Sequence, residues 1–128
     1  MRSSKGQRDL AKLLRARGFT TEENVHHLPG RPDIVLPTMH VVFYHGCYWH
    51  QHECLRKAEE TGLDVSRRHM IRKKDQKIAA ELRKLGYRVL TVWECQFKDD
   101  PTKEVDRISA IINFDLSDFA GGPQISRP

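Results

Sequence analysis

Cysteine is scarce in this chain of 128 residues: there are three, an odd number, which argues against a disulfide framework. No apolar run is longer than a strand needs, and no stretch resembles a signal peptide, so neither a membrane span nor a secreted scaffold is expected. Internal repeats are absent, which excludes a solenoid. Acidic residues are in the minority, 17 Asp and Glu against 22 Lys and Arg, leaving a formal charge of +5 that favours a polyanionic partner. The length suits one domain with a core that needs no staples.

Against that sparse background, His45-Gly46-Cys47-Tyr48-Trp49-His50-Gln51-His52-Glu53-Cys54 concentrates three histidines, two cysteines and two aromatics in ten residues. Zinc takes four tetrahedral ligands from Cys and His, and a structural site leaves no open position. Cys47, His52 and Cys54 supply three. The fourth is expected from distant Cys95, the only other cysteine, because a third thiolate outcompetes imidazole for zinc. The alternative is His50 as fourth ligand, with Cys95 a buried thiol.

The flanking chain reads as α-β-β-β-α-β-α, one central mixed sheet with helices on its faces. Ser4 and Gln7 have capping-box spacing ahead of Leu10, Ala11, Leu13 and Leu14, and Gly18 stops that helix. Residues 19–25 suit a short or edge strand. Two prolines and a glycine within residues 29–32 force a loop. Residues 33–36 and 40–44 form strands joined near Pro37-Thr38. Residues 55–64 show no period and read as loop. Ser66 caps a long helix ending near Leu85, with Gly86 beyond and Ile71, Ile78, Leu82 and Leu85 as its buried stripe. Residues 88–93 read as a strand buried on both faces. Asp100-Pro101 opens a last helix carrying Val105, Ile108 and Ile112. The domain is expected over residues 1–116, with a loose tail over 117–128.

With the zinc ligands assigned, His45 and His50 remain beside Asp33, which stands at the head of a strand. Its carboxylate and a strand-end carbonyl are hard oxygen donors of the kind Mg²⁺ takes. An imidazole there can accept a proton from attacking water or hold a phosphate oxygen. The plainer alternative is a turn-forming Asp and surface histidines. Asp75 falls on the apolar stripe of the long helix, where a carboxylate is costly unless paired or metal-linked; at the stripe's edge it would simply reach water. Arg67, Arg68, Arg72, Lys73, Lys74 and Lys77 form a phosphate-binding face or a solvated one. Arg31 is either a phosphate contact or an ordinary loop residue. Tyr48 and Trp49 stack on bases if exposed, and otherwise Trp49 caps the core.

Three blocks, Leu28-Pro29-Gly30-Arg31-Pro32-Asp33, Phe43-Tyr44 followed by the His45 to Cys54 decapeptide, and Leu85-Gly86-Tyr87-Arg88-Val89-Leu90-Thr91-Val92-Trp93-Glu94-Cys95, together resemble the very-short-patch repair (Vsr) endonucleases, which nick DNA at a T:G mismatch. The likeness spans about two thirds of the chain, from Leu10 to Cys95. It implies a restriction-endonuclease-like α/β fold, a structural zinc, and Mg²⁺-dependent phosphodiester hydrolysis on double-stranded DNA in the bacterial cytoplasm, by a monomer. By position, Asp33 resembles the metal-binding aspartate and the Tyr44 carbonyl a further Mg²⁺ ligand. His45 and His50 resemble the active-site histidines, with His50 placed to activate water. Cys47, His52, Cys54 and Cys95 match the zinc ligands, Tyr48 and Trp49 the intercalating aromatics, and Asp75 a further active-site aspartate. Gln7 stands where the family has glutamate, and Tyr44 where it has threonine. The segment over residues 55–74 is shorter, and the basic N-terminal arm is nearly absent. These departures weaken mismatch recognition more than cleavage. They keep two other outcomes open: a catalytically impaired zinc-stabilised DNA-binding module, motivated by Gln7, and a Vsr-like nuclease of a mobile-element or defence system, with or without a separate DNA-reading partner. A zinc hydrolase for small molecules is disfavoured, because the cysteines close the metal site.

Overall fold

A computed structural model of the chain describes residues 4–46 and 65–121. Helix α1 spans Lys5–Ala16. Ser4 caps it as its spacing predicts, the hydroxyl accepting from the Gln7 N–H over 3.1 Å. Leu10, Ala11 and Leu14 form its fully buried face. The helix stops in a Schellman turn at Gly18, whose φ of 93° is left-handed: Phe19 N–H bonds back to Leu14 and Gly18 N–H to Arg15.

Among the described residues the sheet has four strands in chain order, β1 (Glu22–Glu23), β2 (Ile34–Leu36), β3 (His40–His45) and β4 (Arg88–Trp93). The first three are antiparallel, while β3 and β4 run parallel, joined across α2 (Val65–Lys84). A parallel pair needs such a crossover, whereas β2 and β3 pair Leu36 with His40 and need only the turn between them. That turn places Met39 at φ 67°, a position where glycine is usual. Gly86, at φ 96°, ends α2 as Gly18 ends α1, with Tyr87 N–H bonded to Leu82 and Gly86 N–H to Arg83.

A short helix, α3 (Glu94–Asp99), then leads into α4 (Pro101–Gly121). Asp100 accepts from Lys103 N–H, and Pro101 occupies the first helical position, where a missing N–H costs nothing. The core is the sheet face turned to α1, α3 and α4: Leu10, Leu14, Ile34, Leu36, Val42, Leu90, Val92, Phe97, Val105, Ile108 and Ile112. Each fully buried Leu or Ile adds roughly 2 kcal/mol.

Several expectations change. Helix α3 was unforeseen, since six residues carry no readable period. Leu82 is buried, but Ile71 and Ile78 are only half-buried and Leu85 is 54% exposed. Leu85 lies past the last helical residue, in the Schellman turn, and so leaves the stripe. In β4 only Leu90 and Val92 are buried, so the strand alternates rather than being buried on both faces. Helix α4 continues to Gly121, beyond Ser117, because no helix breaker precedes Gly121-Gly122-Pro123. The loop expected over residues 55–64 lies outside the described residues.

Candidate active site at the sheet end

The loop before β2 is shaped by two left-handed residues, Gly30 (φ 74°) and Arg31 (φ 50°). Gly30 is pressed against α2, where any Cβ would collide with the Ile78 side chain. Only glycine therefore serves there, and the loop is fixed against the helix. Arg31 is left exposed at the approach to Asp33.

Asp33 is half-buried immediately before β2. Its Oδ2 accepts from the Tyr44 main-chain N–H over 2.7 Å, a short charge-assisted bond between neighbouring antiparallel strands. Its carbonyl accepts from the Asn24 N–H at 2.9 Å and from the Gln7 Nε2 amide at 3.4 Å. Gln7 is 4% exposed and also donates to the Asn24 Oδ1 at 3.3 Å.

Tyr44 and His45 close β3, opposite Val92 and Trp93 of β4. The Tyr44 ring meets Phe97 edge-on, with centroids 5.7 Å apart, and lies over Gly6, where a Cβ would overlap the phenol. His45 is 8% exposed, its ring 5.1 Å from Trp93 and 5.6 Å from Phe43. Carboxylate, strand-end backbone and imidazole thus gather where β3 and β4 end, the edge at which parallel strands commonly offer a ligand site.

The structure brings Gln7, Asp33, Tyr44 and His45 together. Asp75 is half-buried on α2, three residues before the Ile78 that touches Gly30. Arg72, Lys73, Lys74 and Lys77 are exposed along the same helix. Cys95 is half-buried in the first turn of α3, two residues past Trp93. Cys47, Tyr48, Trp49, His50, His52 and Cys54 lie outside the described residues, as do the side chains of Arg67 and Arg68. Among the described residues, no group of three or more His, Cys, Asp or Glu side chains could hold a metal ion. No described helix is long and apolar enough to cross a membrane. Asn24 is not among the residues the sequence singles out, although an Asn just ahead of a Pro-Gly loop is a fair signal for left-handed backbone.

Residues 1–56 match the family model described as DNA mismatch endonuclease Vsr. The chain is 37% identical over 103 residues to the DNA mismatch endonuclease Vsr of Escherichia coli K12, an alignment covering 72% of this chain and 62% of that protein. It is 33% identical over 102 residues to the type II nicking enzyme V.XorIIP of Xanthomonas oryzae, covering 77% and 75%. To the type II nicking enzyme V.NmeAIP of Neisseria meningitidis it is 36% identical over 92 residues, covering 69% and 66%. Taken with the α/β sheet and flanking helices, these likenesses show that the chain belongs to the Vsr family of DNA mismatch endonucleases.

Proposed function

We propose that this protein is a divalent-metal-dependent DNA endonuclease of restriction-endonuclease-like fold, hydrolysing a backbone phosphodiester of double-stranded DNA with Mg²⁺. The observation that carries the reading is the Asp33 carboxylate, pinned to the Tyr44 N–H beside His45 in a chain of this family. The donor chemistry fits a hard cation: Asp33 and the Tyr44 carbonyl would hold it, and when bound it supplies positive charge to a phosphate oxygen. His45 and His50 accept the proton of the attacking water and orient the phosphate. Asp75 adds a further carboxylate from α2. Arg31 and the basic face from Arg67 to Lys77 hold neighbouring phosphates, while Tyr48 and Trp49 stack against bases. Zinc is assigned to Cys47, His52, Cys54 and Cys95. In support, Cys95 lies two residues beyond Trp93, the register partner of His45, and Cys47 lies two beyond His45 in sequence. The protein is read as a monomer acting on DNA in the bacterial cytoplasm.

Two substrate ranges compete, a T:G mismatch and DNA cut in a mobile-element or defence setting. Incubation of supercoiled plasmid and of a T:G duplex with Mg²⁺ separates them, since only mismatch specificity spares the plasmid. Asp33→Ala is expected to abolish cleavage of either. Full cleavage by that variant would refute the catalytic assignment. A second reading, an inactive DNA-binding module, is favoured by the neutral amide of Gln7 and requires salt-sensitive binding without turnover.

A further inference from the structure

The bonds that aim Asp33 converge on Asn24, a residue with no chemistry of its own to offer. Asn24 follows β1 with φ 55°, a left-handed conformation that Asn tolerates better than most residues. Its main-chain N–H donates to the Asp33 carbonyl, and Val25 N–H donates to Pro32 over 3.2 Å. The pairing of β1 with β2 therefore continues past both strand ends, up to the carboxylate-bearing residue. The side chains add a second tie. A main-chain carbonyl only accepts, so the Gln7 amide facing Asp33 must present Nε2. The same nitrogen then requires an oxygen from Asn24, and meets Oδ1. One carbonyl thus sets the orientation of both amides.

We infer that Asn24 is a positioning residue, which together with Gln7 holds the Asp33 backbone so that the carboxylate stays on the Tyr44 N–H. This role rests on the nuclease reading above and deepens it. It also accounts for an amide at position 7. A carboxylate there would have no proton to give the Asp33 carbonyl, and would turn the Asn24 amide to present its nitrogen instead.

The test uses the full chain in two measurements: hydrogen exchange of the Tyr44 amide on the protein alone, and single-turnover nicking with Mg²⁺. Asn24→Gly keeps the left-handed backbone and the N–H but removes the side chain, whereas Asn24→Asp keeps an acceptor oxygen. Asn24→Gly should speed Tyr44 exchange roughly tenfold relative to Val42, and lower the nicking rate at saturating DNA roughly tenfold with little change in KM, the size of one lost hydrogen bond. Asn24→Asp should restore both, and Gln7→Glu should slow nicking rather than raise it. Unchanged Tyr44 exchange in Asn24→Gly, or equal acceleration at Tyr44 and Val42, overturns the positioning role whether or not DNA is cut. If exchange responds as expected but the wild-type protein never nicks DNA, the nuclease reading fails and the network stands.

Discussion

His40 and His45 stand at opposite ends of β3, and their odd spacing turns the two rings to opposite faces of the sheet. Both are nearly enclosed, at 1% and 8% exposure. What encloses them differs. The Nδ1 of His40 pairs with the Thr38 hydroxyl and Nε2 with the Asp115 carboxylate, each over 2.8 Å, and Arg88 lies 3.6 Å from the other oxygen of Asp115. That chain of partners ties the β2–β3 turn to α4. His45 instead sits against the rings of Phe43 and Trp93, one residue from the main chain that holds Asp33. Burial alone therefore does not separate a structural histidine from one proposed to act in catalysis. Place along the strand does: His40 is tied through its partners to α4 at the turn end, whereas His45 stands at the end that carries Asp33.

The strongest way to break this contrast is His45→Gln. If His45 is the acid–base group proposed above, the single-turnover nicking rate should fall by about 100-fold, with DNA binding retained. Wild-type nicking by that variant would leave the two histidines equivalent in function. The complementary change, His40→Ala, removes the nearer partner of a mostly buried carboxylate and should cost about 2 kcal/mol in urea unfolding. Its nicking rate per folded molecule should be unchanged. If His40→Ala instead lost activity at full stability, the structural assignment would be reversed.

The same contrast explains which parts were legible in the sequence. The Ser4 cap, the hairpin, the stripe of Val105, Ile108 and Ile112, and the placement of Asp33 beside Tyr44 and His45 all follow from spacings of a few residues, which local geometry dictates. His40 was read only as strand, because its partner Asp115 is 75 residues away and no local pattern encodes that pairing. Asn24 escaped for a related reason: its value lies in joining α1 to the head of β2, a contact set by packing. In sequence Gln7 stands out for the charge it lacks, yet its place in the fold depends on the proton it donates.

The smallest expected effect comes from an ion pair on α1, the exposed counterpart of the His40–Asp115 pair. Lys5 Nζ lies 2.8 Å from Asp9 Oδ2, with side chains 83% and 45% exposed. The hydrogen bond from Lys5 holds the Asp9 carboxyl below its ordinary value of 3.8, helped by the charges of Lys5, Lys12 and Arg8. A carboxyl with a depressed folded-state pKa contributes stability above its unfolded value and loses it as pH falls through the folded one. Because both side chains remain in water, that contribution is close to the error of measurement. Asp9→Asn should therefore shift the urea midpoint barely at pH 7, and any difference from wild type should fade as the pH falls below 3.8. His40→Ala should remain destabilised at neutral pH under the same titration. A midpoint loss for Asp9→Asn as large as that for His40→Ala would show that solvent exposure does not set the relative strength of the two pairs.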